Sequence, residues 1–261
     1  MQYTIENDHI ARITIPFADI FTSVYIIKTD VGVMLFDTAS YDTDVDNYIL
    51  PVMREMDISE SMLKYIFISH DHGDHSGGLK RLLDLFPNVS VISRSAVLEE
   101  KYSSDSVIVP SDGDCFMDVL QVVTIPGHTY DSSAIYDKRT NTLITGDCLQ
   151  LYGVYGSGAW ATNVVLPVAY TDALNKIGSM EIETILASHD YHPYGYRAHG
   201  REEVKRYISA CTEALDFIKR LITDNPTMDD NEIAKAFSSN GLPTLSSEVV
   251  KEVRCELAAK S

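Results

Sequence analysis

Short β-rich apolar runs separated by polar turns fill the first three quarters of the chain, and a helical stripe replaces them near residue 200. Val24-Tyr25-Ile26-Ile27-Lys28 and Val33-Met34-Leu35-Phe36 flank Thr29-Asp30-Val31-Gly32, which predicts two strands joined by a hairpin-type connection. Residues 44–56 read as helical. Tyr65-Ile66-Phe67-Ile68 is apolar without a break, the pattern of a strand buried on both faces. A helix through Leu79, Leu82 and Leu83 should follow it before Pro87-Asn88. Residues 89–92, 119–125, 133–137, 142–145 and 182–187 predict further strands. Val204, Tyr207, Ile208, Cys211, Leu215, Ile218 and Ile222 then recur at helical spacing until Asn225-Pro226 stops them. Thr227 with Asp230 resembles a capping box for a second helix ending near Asn240-Gly241, and Ser246 is placed to cap a third carrying Val249, Val250, Val253 and Leu257. The pattern divides the chain into residues 1–200 and a helical extension over 201–261.

Four predicted strands end in histidine or aspartate. Residues 65–68 run into Ser69-His70-Asp71-His72-Gly73-Asp74-His75, residues 119–125 into Pro126-Gly127-His128, residues 142–145 into Gly146-Asp147, and residues 182–187 into Ser188-His189. Polar residues gathered at strand ends are how α/β sheets build sites. Within the first segment His70 and His72 point the same way on an extended backbone and can reach one metal ion, while Asp74 and His75 can reach a second. Imidazole and carboxylate donors suit zinc, manganese and iron.

Composition narrows the function. The chain has 261 residues, 45% of them hydrophobic and 23% charged, enough for a sizeable core without disulfides. Its 21 Lys and Arg against 38 Asp and Glu leave a net charge of −17, which argues against nucleic acid or an anionic membrane surface as the main partner. No apolar run approaches the roughly 18 residues that span a bilayer, and Met1 to Asp8 has neither the basic nor the apolar region of a secretory signal. Cys115, Cys148, Cys211 and Cys255 lie far apart and read as reduced thiols of a cytoplasmic protein.

The His70–His75 motif, followed in order by His128, Asp147 and His189 and preceded by Asp37 in Leu-Phe-Asp-Thr, resembles the metallo-β-lactamase superfamily of metallo-hydrolases over roughly residues 20–192. The resemblance implies a four-layered αβ/βα sandwich with a C-terminal helical extension and a dinuclear site between two sheets. It implies that His70, His72 and His128 bind one metal, that Asp74, His75 and His189 bind the other, and that Asp147 bridges both. Asp37 would lie behind the ligands. Two divalent ions are expected, zinc foremost, with manganese or iron as alternatives. Ions about 3.5–4 Å apart can share a water and hold hydroxide at neutral pH, which then attacks a carbonyl or phosphoryl group. Asp74 is the candidate general acid/base.

Within that family Asp147 argues against a true β-lactamase, which lacks a bridging aspartate at this point. Gln150 stands where an acyl-homoserine lactonase would place a tyrosine, and residues 201–261 do not match the glutathione-binding positions of a glyoxalase II. The expected activity is hydrolysis of a small ester, thioester or lactone. Cleavage of a phosphodiester such as a nucleotide, iron-dependent sulfur oxygenation, oxygen reduction, and binding without catalysis are the alternatives. Tyr152, Tyr155, Trp160, His192 and Tyr194 are candidate walls of the substrate pocket, the first three on a glycine-containing segment that could move. The apolar stripe of 201–261 must be buried on the sandwich edge, over the mouth of the cleft, or in a homodimer contact.

Overall fold

The computed structural model describes residues 3–102, 106–156 and 160–259. Among these residues helices accompany two β-sheets, one of seven strands and one of six. The chain forms two compact units, residues 1–123 with 133–139 and residues 124–132 with 140–261.

In the first unit the seven-stranded sheet follows chain order: β1 (Tyr3–Ile5), β2 (Ile10–Phe17), β3 (Ile20–Thr29), β4 (Gly32–Phe36), β5 (Leu63–Ile68), β6 (Ser90–Ser93) and β7 (Val107–Ile108). The first four pair antiparallel, and β4 to β7 pair parallel. The connections explain the change. Thr29 and Gly32 close the β3–β4 hairpin directly, whereas parallel neighbours need a crossover. Those crossovers are helical. Between β4 and β5, α1 (Asp42–Asp44) continues through a π-helical stretch, Val45–Ile49, into α2 (Leu50–Glu55). Between β5 and β6 come α3 (Gly73–Ser76) and α4 (Leu79–Leu85), and α5 (Ala96–Tyr102) precedes β7. Ile13, Ile15, Ile26, Leu35, Ile66 and Ile68 from the strands pack with Val45, Ile49, Leu79 and Leu82 from the helices into one apolar cluster. The shorter strands β8 (Cys115–Phe116), β9 (Leu120–Thr124) and β10 (Ser133–Asp137) follow, with β8 and β9 antiparallel.

In the second unit β11 (Thr142–Ile144) pairs parallel with β12 (Thr184–Leu186), which pairs antiparallel with β13 (Arg197–His199). The parallel step is crossed by α6 (Pro167–Gly178), which starts on Pro167, where the missing N–H costs nothing. Tyr170, one of the aromatics following Asp147 in sequence, is buried on this helix. α7 (Arg201–Asp224) buries Val204, Tyr207, Cys211, Leu215, Ile218 and Ile222 of the expected stripe, together with Ala210 and Ala214, and leaves Ile208 half-buried. It packs against α6, β12, β13 and α9 (Ser247–Ala259).

The cap of α8 (Asp230–Ser238) corrects the sequence reading. Asp229, not Thr227, takes the N–H groups of Asn231 and Glu232, and the Glu232 carboxylate takes the N–H of Asp229 in return. Carboxylates occupy both sides of this box, so the Ser/Thr pattern pointed two residues too early. Ser246 Oγ accepts from Glu248 N at the start of α9, as expected. No helix among the described residues is long and apolar enough to cross a membrane.

Candidate metal centre

The first unit carries Asp37, His70, His72, Asp74 and His75 on two stretches that leave the parallel strands β4 and β5. β5 ends at Ile68, and Ser69 continues the chain to His70, while α3 turns Asp74 and His75 back beside them. This turn packs tightly on the segment after β4. A Cβ on Gly77 would collide with the Ser40 carbonyl oxygen, so only glycine fits there. Thr38 N and Thr38 Oγ1 both donate to the His75 carbonyl, at 2.7 and 2.9 Å.

Hydrogen bonds set the tautomers of two of these rings. Asp37, fully buried with φ of +62°, accepts from Ser69 N at 2.8 Å, from Ser69 Oγ at 2.9 Å and from His75 Nδ1 at 2.7 Å. Ser69 has only one hydroxyl proton and gives it to Asp37, so its oxygen accepts from His70 Nδ1 at 3.0 Å. His70 and His75 therefore carry their protons on Nδ1 and present Nε2 as a lone-pair donor. Burial pushes the Asp37 carboxyl above the ordinary carboxylate range, and the His75 and Ser69 donors oppose that rise. Beyond them, His70 Nε2 lies 3.0 Å from His72 Nδ1, and His75 Nε2 lies 3.3 Å from Asp74 Oδ2. Thr22 on β3 donates to the same Asp74 oxygen at 3.0 Å.

The second unit carries His128, Asp147 and His189. His189 Nε2 is 3.2 Å from Asp147 Oδ1, and His128 Nε2 is 3.8 Å from Asp147 Oδ2. One carboxylate thus presents a different oxygen to each imidazole. His128 Nδ1 donates to the Asn163 carbonyl at 3.0 Å, which again leaves Nε2 as the lone-pair nitrogen. Gly127, just before it, lies against the Tyr170 ring, which a Cβ would strike.

Two ligands of a tetrahedral zinc ion at about 2.0–2.1 Å stand roughly 3.3 Å apart. The donor pairs within each unit lie at 3.0, 3.3, 3.2 and 3.8 Å, and the nitrogens involved include three whose lone pairs are fixed outward. The donor types and spacings fit a divalent ion, and these His and Asp clusters could hold metal.

The candidate pocket residues divide. Tyr152 and Tyr155 lie with their ring centroids 6.2 and 5.0 Å from that of His192. The segment bearing the two tyrosines is stitched to the chain after His189: Tyr152 N donates to His192 O at 3.1 Å, His192 N to Gly153 O at 2.7 Å, and Tyr155 N to Asp190 O at 2.6 Å. Residues 157–159 lie outside the described residues, and Trp160 beyond them is exposed. Tyr194 faces Tyr207 of α7, with ring centroids 6.4 Å apart. Burial holds the Tyr152 hydroxyl above its usual range, and Glu213 of α7 reinforces the shift. Ser69 and Thr22, which hydrogen-bond Asp37 and Asp74, carry no sequence signal of their own.

A family model for the metallo-beta-lactamase superfamily matches residues 18–189. Among curated proteins, an atrochrysone carboxyl ACP thioesterase from Emericella nidulans is 29% identical over 183 residues, covering 69% of this chain and 51% of its own. A hydroxyacylglutathione hydrolase from a Nostoc species is 28% identical over 148 residues, covering 54% of this chain and 56% of its own. The chain spans about half the length of these relatives. Among solved structures, a metallo-beta-lactamase family protein from Thermus thermophilus superposes with a TM-score of 0.69 at 15% identity, covering 95% of this chain and 92% of that one.

Proposed function

This chain belongs to the metallo-beta-lactamase superfamily, and from that premise we propose that it is a metal-dependent hydrolase of a small ester, thioester or lactone, a thioester foremost. In this reading the ligands serve one dinuclear centre. His70, His72 and His128 would hold one ion, Asp74, His75 and His189 would hold the other, and Asp147 would serve both. The observation that carries it is the set of imidazoles whose Nδ1–H groups are tied down, on Ser69, Asp37 and Asn163, so that Nε2 is committed as a donor beside a carboxylate. The two carboxylate oxygens of Asp147, each turned to a different histidine, suit a bridging role.

Two divalent ions held there, zinc first and manganese or iron as alternatives, would supply Lewis acidity and lower the pKa of a bound water. The chain's own residues do the rest. Asp74, half-buried and steadied by Thr22, accepts the proton of the attacking water and delivers it to the leaving group. Tyr152, Tyr155 and His192, with Trp160 and Tyr194 nearby in sequence, receive the acyl part. The thioester preference draws on the relatives named as thioesterase and hydroxyacylglutathione hydrolase. A small-molecule substrate and a cytoplasmic site of action complete the reading.

The test is metal analysis of protein made in unsupplemented medium, together with an ester, thioester, lactone and phosphodiester panel. Two equivalents of metal and thioester or ester turnover are expected. A single equivalent of iron with no hydrolysis, or turnover of phosphodiesters alone, would overturn the proposal.

A further inference from the structure

Gln150, buried in the second unit three residues past Asp147, makes contact with the segments of all three candidate ligands there. Its Nε2 donates to the Asp147 carbonyl at 2.6 Å and, more weakly, to Tyr191 Oη at 3.4 Å. Its Oε1 accepts from Asn163 N at 3.1 Å. These partners fix which way the amide points, because a carbonyl must face NH2 and a backbone N–H must face the oxygen. Each partner leads to a ligand. Asp147 is held by its own carbonyl. Asn163 uses its other backbone group, the carbonyl, to accept His128 Nδ1–H at 3.0 Å. Tyr191 lies two residues after His189 and packs its ring against that imidazole at 6.0 Å between centroids.

The surrounding backbone over-determines this arrangement. Gln150 N donates to Tyr170 Oη at 3.0 Å, and the Tyr170 ring leaves room only for glycine at position 127, next to His128. Leu151 is held at φ of +41°, a conformation that leucine adopts only under constraint, and Thr162 Oγ1 donates to its carbonyl.

We propose that Gln150 is the positioning residue of this half of the metal site, a single side-chain amide that sets the Asp147 turn, the His128 tautomer and the His189 segment together. The proposal rests on the metal-binding part of the function put forward above and is independent of the substrate. It predicts that the half-site is organised before metal arrives. An apolar side chain of similar size at this position strands the Asn163 N–H and the Asp147 carbonyl and releases both segments. Loss of such a supporting partner costs about 10- to 100-fold in metal affinity.

The experiment uses zinc alone, titrated into the metal-free full chain against a chromophoric chelator, with side-chain histidine NMR on the same samples. Metal-free wild type should show His128 as the Nδ1–H tautomer. Gln150→Leu should bind zinc at least tenfold more weakly and lose that Nδ1–H signal. Gln150→Glu keeps an acceptor for Asn163 N but removes both donors, so it should retain the His128 tautomer while still binding zinc more weakly. Tyr191→Phe, which removes only the longest bond, should change affinity less than threefold. Zinc affinity within twofold of wild type in both Gln150 variants overturns the proposal. So does an Nε2–H tautomer of His128 in the metal-free wild type, a measurement that stands even where Gln150→Leu does not fold. A chain that hydrolyses nothing in the panel yet loses zinc as expected keeps this inference and refutes only the substrate reading.

Discussion

Replacing Asp37 by Asn isolates the link between a buried carboxylate and a metal-site imidazole. Asn keeps the shape and tolerates the left-handed backbone at this position, φ of +62°, almost as well as Asp does. What changes is the count of acceptors. The Asp37 oxygens take donors from Ser69 N at 2.8 Å, Ser69 Oγ at 2.9 Å and His75 Nδ1 at 2.7 Å. An amide offers one oxygen and one NH2. Turned one way, the NH2 meets the backbone N–H of Ser69, which cannot rearrange. It therefore turns the other way and faces His75 Nδ1, and the imidazole answers by moving its proton to Nε2. That nitrogen then has no lone pair for a metal. The expected loss is about 10- to 100-fold in affinity for one equivalent of zinc, or about 1.4–2.7 kcal/mol. Stability of the metal-free protein should fall less. A lost buried hydrogen bond costs about 1–3 kcal/mol, and removing a carboxylate whose burial opposes its charge offsets part of it. Chelator competition reads the first quantity and thermal unfolding in excess chelator reads the second. If Asp37→Asn binds both equivalents of zinc within twofold of wild type, the tautomer argument fails.

Three further outcomes follow from the same structure. Asp74→Asn should lower kcat at least 100-fold when compared at matched metal occupancy, because the amide cannot accept a proton; unchanged turnover there moves the acid/base role elsewhere. Deleting 201–261 removes the partners of α6, β12 and β13 and should give an aggregating fragment by size-exclusion chromatography; a soluble, folded 1–200 would instead support a domain boundary at residue 200 and a dispensable extension. Burial pushes the Cys211 thiol from 9.0 up to about 11, so the folded state holds its proton where the unfolded chain has released it. Its contribution is fully present below pH 9 and is lost as pH rises toward 11, on the order of 3 kcal/mol. Urea unfolding of Cys211→Ala should therefore show a shallower alkaline loss than wild type, and an identical slope would refute the assignment.

The parts of this protein that the sequence determined are those written in local periodicity and local chemistry. The uninterrupted apolar run before His70 specified a doubly buried strand, and β5 is that strand. The stripe from Val204 to Ile222 specified one long amphipathic helix, and α7 buries it except for the half-buried Ile208. Candidate metal donors were legible because imidazole and carboxylate at strand ends are rare and chemically distinct. The supporting groups were not legible, because nothing about an isolated Ser, Thr or Gln marks it. Ser69 and Thr22 acquire their roles through partners 32 and 52 residues away, at Asp37 and Asp74. Gln150 shows the same limit more sharply. Its residue type argued only against one activity, whereas its buried amide touches segments at Asp147, Asn163 and Tyr191 that only folding brings together. A buried hydrogen bond is decided by which polar groups end up without water, and that is a property of the tertiary structure.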